Sequence, residues 1–191
     1  MKTSSCKRFT LIELLVVIAI IGILAGLLLP AIGSVRNNAK KSKASSECQS
    51  LKTAIIMFES EYSCWPTDSS ITADKTLSDS EYDKMCDILV GDDTKKNPKK
   101  IVFYEVGMGY KKGEGIRDPW GNRYKVILDG NFDGKIDASV SEVTAFNAAN
   151  GRNGQDLRVR VGVYSRGVVS TDNDFNNLSN LAKKKKTVTS W

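Results

Sequence analysis

From Leu14 to Val35 the chain carries no charged residue, and nearly every side chain in that run is apolar. An α-helix rises about 1.5 Å per residue, so the run makes about 33 Å of helix, against a bilayer hydrocarbon core of about 30 Å. A soluble domain spreads its apolar residues along periodic elements instead of stacking them at one end. A secretory signal peptide is the competing reading, with Ala31-Ile32-Gly33 as its small-residue cleavage site. Such a peptide has a shorter apolar region, about 7–15 residues, and Glu13 stands at the edge of this one. An unpaired carboxylate inside a bilayer is expensive, so a partner for Glu13 is expected. Lys2, Lys7 and Arg8 precede the run and give the positive flank that keeps an N-terminus cytoplasmic. Pro30, late in the run, predicts a kink or a loosening of the helix.

The string Phe9-Thr10-Leu11-Ile12-Glu13-Leu14-Leu15-Val16-Val17-Ile18-Ala19-Ile20-Ile21-Gly22-Ile23-Leu24-Ala25 resembles the N-terminus of type IV pilins and type II secretion pseudopilins. The resemblance implies that a prepilin peptidase cuts between Arg8 and Phe9 and that the new amine on Phe9 is N-methylated. It also implies that Glu13 pairs with the terminal amine of a neighbouring subunit. A carboxylate and an ammonium neutralise each other in an apolar bundle where neither is tolerated alone. The family has Gly before the cut where this chain has Arg8.

Beyond Pro30, Ala44, Cys48, Leu51, Ile55, Phe58 and Tyr62 recur every three or four residues, one stripe of a helix that continues to Tyr62. Pro66 ends it, since a residue before proline is pushed out of helical geometry. Ser78-Asp79-Ser80-Glu81 is a capping box, opening a short helix with Tyr82, Met85, Cys86 and Leu89 on one face and Gly91 at its end. Ile101–Val106, Arg123–Leu128, the alternating Leu157–Tyr164 and the terminal Thr187–Trp191 read as strands. Between them, Asp118-Pro119-Trp120-Gly121-Asn122 is a turn in which Asp118 can accept backbone hydrogens.

This turn, followed by Tyr124, resembles the head signature of major pseudopilins, and the final Ser190-Trp191 resembles how their chains end. The resemblance therefore implies an α+β pilin fold, a long N-terminal helix packed on a small antiparallel β-sheet head. Residues 1–8 would be the leader, 9–35 the transmembrane and assembly half of the helix, 36–62 its amphipathic spine, and 63–191 a periplasmic head. The implied partners are the prepilin peptidase and methylase, further copies of the chain, minor pseudopilins, the inner-membrane secretion platform and membrane lipid.

Candidate chemistry is sparse. The chain has no histidine, hence neither the commonest general base nor the commonest transition-metal ligand. No C-x-x-C pair, activated nucleophile or phosphate-binding glycine loop is present, so the chain reads as a non-enzyme. The net charge of +6 comes without the interleaved basic and aromatic residues of a nucleic-acid groove, and no nucleic-acid partner is expected. Cys48 lies on the helical stripe and reads as a buried small hydrophobe, while Cys64 and Cys86 are placed to form a disulfide in an oxidising periplasm.

Two segments suggest calcium. Tyr164-Ser165-Arg166-Gly167 with Asp172 and Asp174 resembles the calcium loop near the end of major pseudopilins, although Val168 and Val169 stand where an Asp is expected. Separately, Asp129, Asn131, Asp133, Gly134 and Asp137 match the first nine positions of an EF-hand loop. Val140 stands where that loop needs its bidentate Glu, and a hairpin turn competes for the same residues. Three functions fit: a type II secretion pseudopilus subunit, a surface type IV pilus subunit for adhesion or DNA uptake, and a membrane-anchored periplasmic binding protein that does not polymerise.

Overall fold

The computed structural model describes residues 11–107, 110–150, 154–167 and 188–190, the side chains of 27–31, 148–150 and 188 excepted. The chain divides into two compact units, Met1–Ala39 and Lys40–Trp191. Helix α1, Leu11–Tyr62, supplies the described part of the first unit and enters the second. Its backbone stays helical through residue 30. Among the described residues no helix is long and apolar enough to cross a membrane.

In the second unit α1 has the expected stripe: Ala44, Cys48, Leu51, Ile55 and Phe58 are each at most 1% exposed. The helix ends after Tyr62, where Ser63 takes φ 53° and leaves the helical basin. A short strand β1 (Lys75–Thr76) leads into α2 (Asp79–Val90). The Ser78 hydroxyl accepts the Glu81 amide, and the Glu81 carboxylate accepts the Ser78 amide at 2.9 Å, so the capping box is formed as read. Gly91 closes α2 at φ 90°, the left-handed geometry that glycine adopts without a Cβ penalty.

Strands β2 (Lys125–Leu128), β3 (Val161–Ser165) and β4 (Val188–Thr189) complete an antiparallel sheet ordered β1-β2-β3-β4. The sheet is apolar on both faces. Val126, Leu128, Val161 and Val163 join the α1 and α2 core, while Ile127 and Tyr164 pack with Ile136, Val143 and Leu157. Neighbouring residues of a strand point to opposite faces, which gives this division. The fold is α+β, a long helix on a small antiparallel sheet.

Several elements differ from expectation. Ile101–Val106 forms no strand. The buried Asn97 takes the Ile101 amide on Oδ1, and the Leu89 carbonyl takes the amides of Phe103 and Tyr104. Phe103 spends its ring on Phe58 and Tyr62, at centroid distances of 5.3 and 6.2 Å. The third strand begins at Val161 instead of Leu157 and is buried at all five residues. The alternation fails because α3 (Ser141–Asn150) and its neighbours supply a second apolar layer; no helix is predicted there from the periodicity.

Candidate functional site

The first unit presents an exposed apolar helix. Leu11 and Ile12 are 88% and 70% exposed, and Leu14, Leu15, Ile18, Ile20, Ile21, Ile23 and Leu24 are also exposed. Glu13 lies in the first described turn of α1. It shares a shallow, otherwise apolar groove with Ile12, Val16 and Val17. Arg8 and Phe9, the expected cleavage and methylation positions, lie outside the described residues.

The head signature builds a clasp. The buried Asp118 accepts the amides of Trp120 at 3.0 Å and Asn122 at 2.8 Å on Oδ1. Its own amide donates to the Asn122 carbonyl at 2.8 Å, and its carbonyl accepts the Gly121 amide at 2.9 Å. Pro119 occupies the turn, and Gly121 takes φ 91°, which an L side chain would resist. On its other oxygen Asp118 accepts the Ser165 hydroxyl at 2.6 Å, and Asn122 Nδ2 donates to the Gly167 carbonyl at 2.9 Å. The turn thereby pins the end of β3.

Next along the chain, Arg123 grips Asp83 of α2 through Nε and Nη2, both at 2.8 Å. Tyr124, fully buried, donates its hydroxyl to Glu47 of α1. The signature thus ties sheet, α2 and α1 together.

The chain end, expected as a strand, makes a second clasp. Ser190 donates its amide to the Val163 carbonyl at 2.9 Å and accepts the Val163 amide on Oγ at 3.0 Å. Its carbonyl accepts Gln49 Nε2 of α1 at 3.0 Å. The polar face of α1 carries no signal for this contact, because the partner lies 141 residues away.

Cys48 and Cys86 are buried thiols, each pushed up to about 12 chiefly by loss of solvent, which makes them inert as nucleophiles. The expected Cys64–Cys86 disulfide is not formed. Both are free, Cys64 exposed beyond the end of α1 and Cys86 on the inner face of α2.

Asp172 and Asp174 lie outside the described residues. The Asp129–Asp137 segment is no hairpin, since β2 pairs with β1 and β3 and α3 intervenes before β3. It is a run of side-chain-capped turns. Asp129 Oδ2 accepts the Gly134 amide at 2.9 Å, Asn131 Oδ1 that of Asp133 at 3.1 Å, and Asp133 Oδ1 that of Lys135 at 3.1 Å. Among the described residues no three acidic, cysteine or histidine side chains stand gathered for a metal.

An exposed apolar helix with one early carboxylate, joined in sequence to a helix-on-sheet head, defines a pilin-like protein. The prokaryotic N-terminal methylation motif matches residues 9–29. The chain is 32% identical to the type II secretion system core protein G of Aeromonas hydrophila over 133 residues, 68% of this chain and 77% of that one. With the core protein G of Klebsiella michiganensis it shares 29% identity over 96% of this chain and the whole of the relative. A fimbrial protein of Neisseria meningitidis serogroup B is 31% identical over 76% of this chain and 86% of its own length. No solved structure gives a significant match. The chain belongs to the type IV pilin-like family that includes the type II secretion system core protein G.

Proposed function

We propose that the chain is a structural subunit that polymerises through its N-terminal helix into a pseudopilus serving type II protein secretion. The observation that carries this reading is the alignment with core protein G across 96% of the chain, head included. The physics of the first unit supports it. Apolar side chains exposed all around a helix need lipid before assembly and copies of the same helix after it. Glu13 then needs a buried cation, and the methylated amine of a neighbour's Phe9 supplies one.

On this reading the N-terminus is cytoplasmic, the helix sits in the inner membrane and the head is periplasmic. The prepilin peptidase cuts between Arg8 and Phe9, and minor pseudopilins and the inner-membrane platform are partners in assembly. A surface type IV pilus is the second reading, favoured by the match to the Neisseria fimbrial protein.

Mass analysis of the membrane-extracted chain tests processing, with N-methyl-Phe9 expected as its first residue. A chain that keeps Met1, or one cut near Ser34, would sink the proposal. In cells, Glu13→Leu is expected to leave the processed subunit in the membrane fraction and remove it from sheared filaments. Filament yield equal to that of the parent chain would refute the pairing. A secretion defect without loss of surface fibres separates the first reading from the second.

A further inference from the structure

We propose that the loop from Asp129 to Asp137 binds one hard divalent cation of the calcium class, through the side-chain oxygens of Asp129, Asn131, Asp133 and Asp137 and the Lys135 carbonyl. The site is independent of filament assembly and distinct from Asp172 and Asp174. Oxygen donors at alternate positions, with glycine at the sixth, can converge on such an ion. Here Gly134 takes φ 87° at that sixth position.

The decisive observation is Asp129 itself, which is fully buried. One carboxylate oxygen accepts the Gly134 amide across the loop, so the group faces inward; the other, Oδ1, is buried and accepts no hydrogen bond among the described residues. A buried carboxylate oxygen without a donor is costly. The nearby Arg160 does not supply one. Its guanidinium is held by Glu59 at 2.9 Å and lies over the Trp65 ring at 5.3 Å.

The frame around the loop is held from outside. Trp65 Nε1 donates to the Asp129 carbonyl at 2.7 Å, and the Asp129 amide to the Arg160 carbonyl at 2.9 Å. Asp74, a residue the periodicity gives no reason to single out, accepts the Gly130 amide at 2.9 Å and the Asp137 amide at 2.7 Å. A Cβ on Gly130 would meet the Ala73 carbonyl at 2.2 Å, so only glycine lets the loop sit this close. Such bracing fixes the backbone before an ion arrives.

Lys135 lies among these carboxylates. Its ammonium lies 2.6 Å from Asp156, 3.7 Å from Asp137 and 3.9 Å from Asp133. A monovalent cation on a flexible stem thus draws on two of the proposed ligands. A divalent ion recruits Asp133 and Asp137 and leaves the ammonium to Asp156. Val140 at the twelfth position removes the bidentate Glu, so water completes the shell. The weak end of the calcium range follows, roughly 0.1–1 mM, and magnesium fits less well because it demands strict octahedral geometry.

The test is calorimetric titration of the full chain in detergent micelles with calcium chloride and, separately, magnesium chloride. One calcium is expected to bind. Because Asp129 is buried and its replacement risks misfolding, the deciding variants are at exposed positions. Asn131→Ala and Asp133→Ser are each expected to weaken binding by about tenfold or more. Lys135→Gln is expected to tighten it, and Asp172→Ala with Asp174→Ala to leave it in place. Absence of binding at about 10 mM calcium, roughly tenfold above the range, would overturn the proposal. So would binding that survives Asp133→Ser but is lost with Asp172 and Asp174, or weaker binding by Lys135→Gln.

Discussion

Helix α1 buries its side chains in two different ways along its length. Between Ala44 and Phe58 one stripe is wholly covered and the opposite side is largely polar, so the covering is supplied by the chain's own sheet and α2. Between Leu11 and Leu24 large apolar side chains are exposed throughout and no single stripe is distinguished. A stripe is a request for a partner on one side, whereas an apolar helix all round asks for an apolar surrounding. One stretch therefore stabilises the fold of the head, and the other leaves its apolar surface exposed.

The strongest way to break that contrast is to truncate one side chain in each stretch. Phe58 is 1% exposed and touches the rings of Tyr62 and Phe103 at 4.6 and 5.3 Å. Phe58→Ala is expected to lower the unfolding free energy of the head by about 3–5 kcal/mol. Ile20, 52% exposed, is expected to contribute nothing to that quantity when changed to Ala. Chemical denaturation of the full chain in detergent micelles measures both. Equal losses would show that the two stretches are not energetically separate.

The stripe was legible because helical periodicity survives any change in what covers it. The Ser78 box, the Gly91 stop and the Asp118 turn were legible for a related reason: each satisfies backbone groups within a few residues. What failed depended on distant residues. Ile101–Val106 has strand composition, yet Asn97 and the Leu89 carbonyl take its amides before a neighbouring strand could. Helix α3 was missed although Val143 and Asn147 stand one turn apart and are buried; its flanking polar residues hide the pattern. Of the candidate calcium loop the spacing was readable and the Asp74 brace was not, because 56 residues separate Asp74 from Gly130.

Within the head, Asp118 allows the next comparison, between burial that is apolar and burial that is hydrogen-bonded. Asp118→Ala removes the acceptor of two amides and of the Ser165 hydroxyl. Leaving those donors unpaired is expected to cost about 2–3 kcal/mol of head stability, less than Phe58→Ala. The same denaturation experiment reads it. A loss below that of an ordinary surface substitution, about 0.5 kcal/mol, would mean that water replaces the carboxylate.

The smallest effect concerns pH, and it too belongs to the head. The Asp79 carboxyl is held below its ordinary 3.8, first by the hydrogen bond from Lys125 at 2.5 Å and then by the charges of Lys125, Arg123 and Arg166. A carboxylate whose folded pKa is depressed stabilises the fold fully above its unfolded value and loses that contribution as pH falls through the folded one. The loss should therefore begin near 3.8 and continue below it. Asp79 is 55% exposed on its side chain, so water screens the pair and the contribution is only about 0.2–1 kcal/mol. Glu81, held down chiefly by Lys75, adds a term of the same sign. The expected result is a melting temperature of the head that falls as pH is lowered from about 5 to about 3, and falls less in Asp79→Asn. If Asp79→Asn follows the parent curve throughout, the pair with Lys125 contributes nothing, and α2 is held to the sheet by Arg123–Asp83, Lys75–Glu81 and its apolar face.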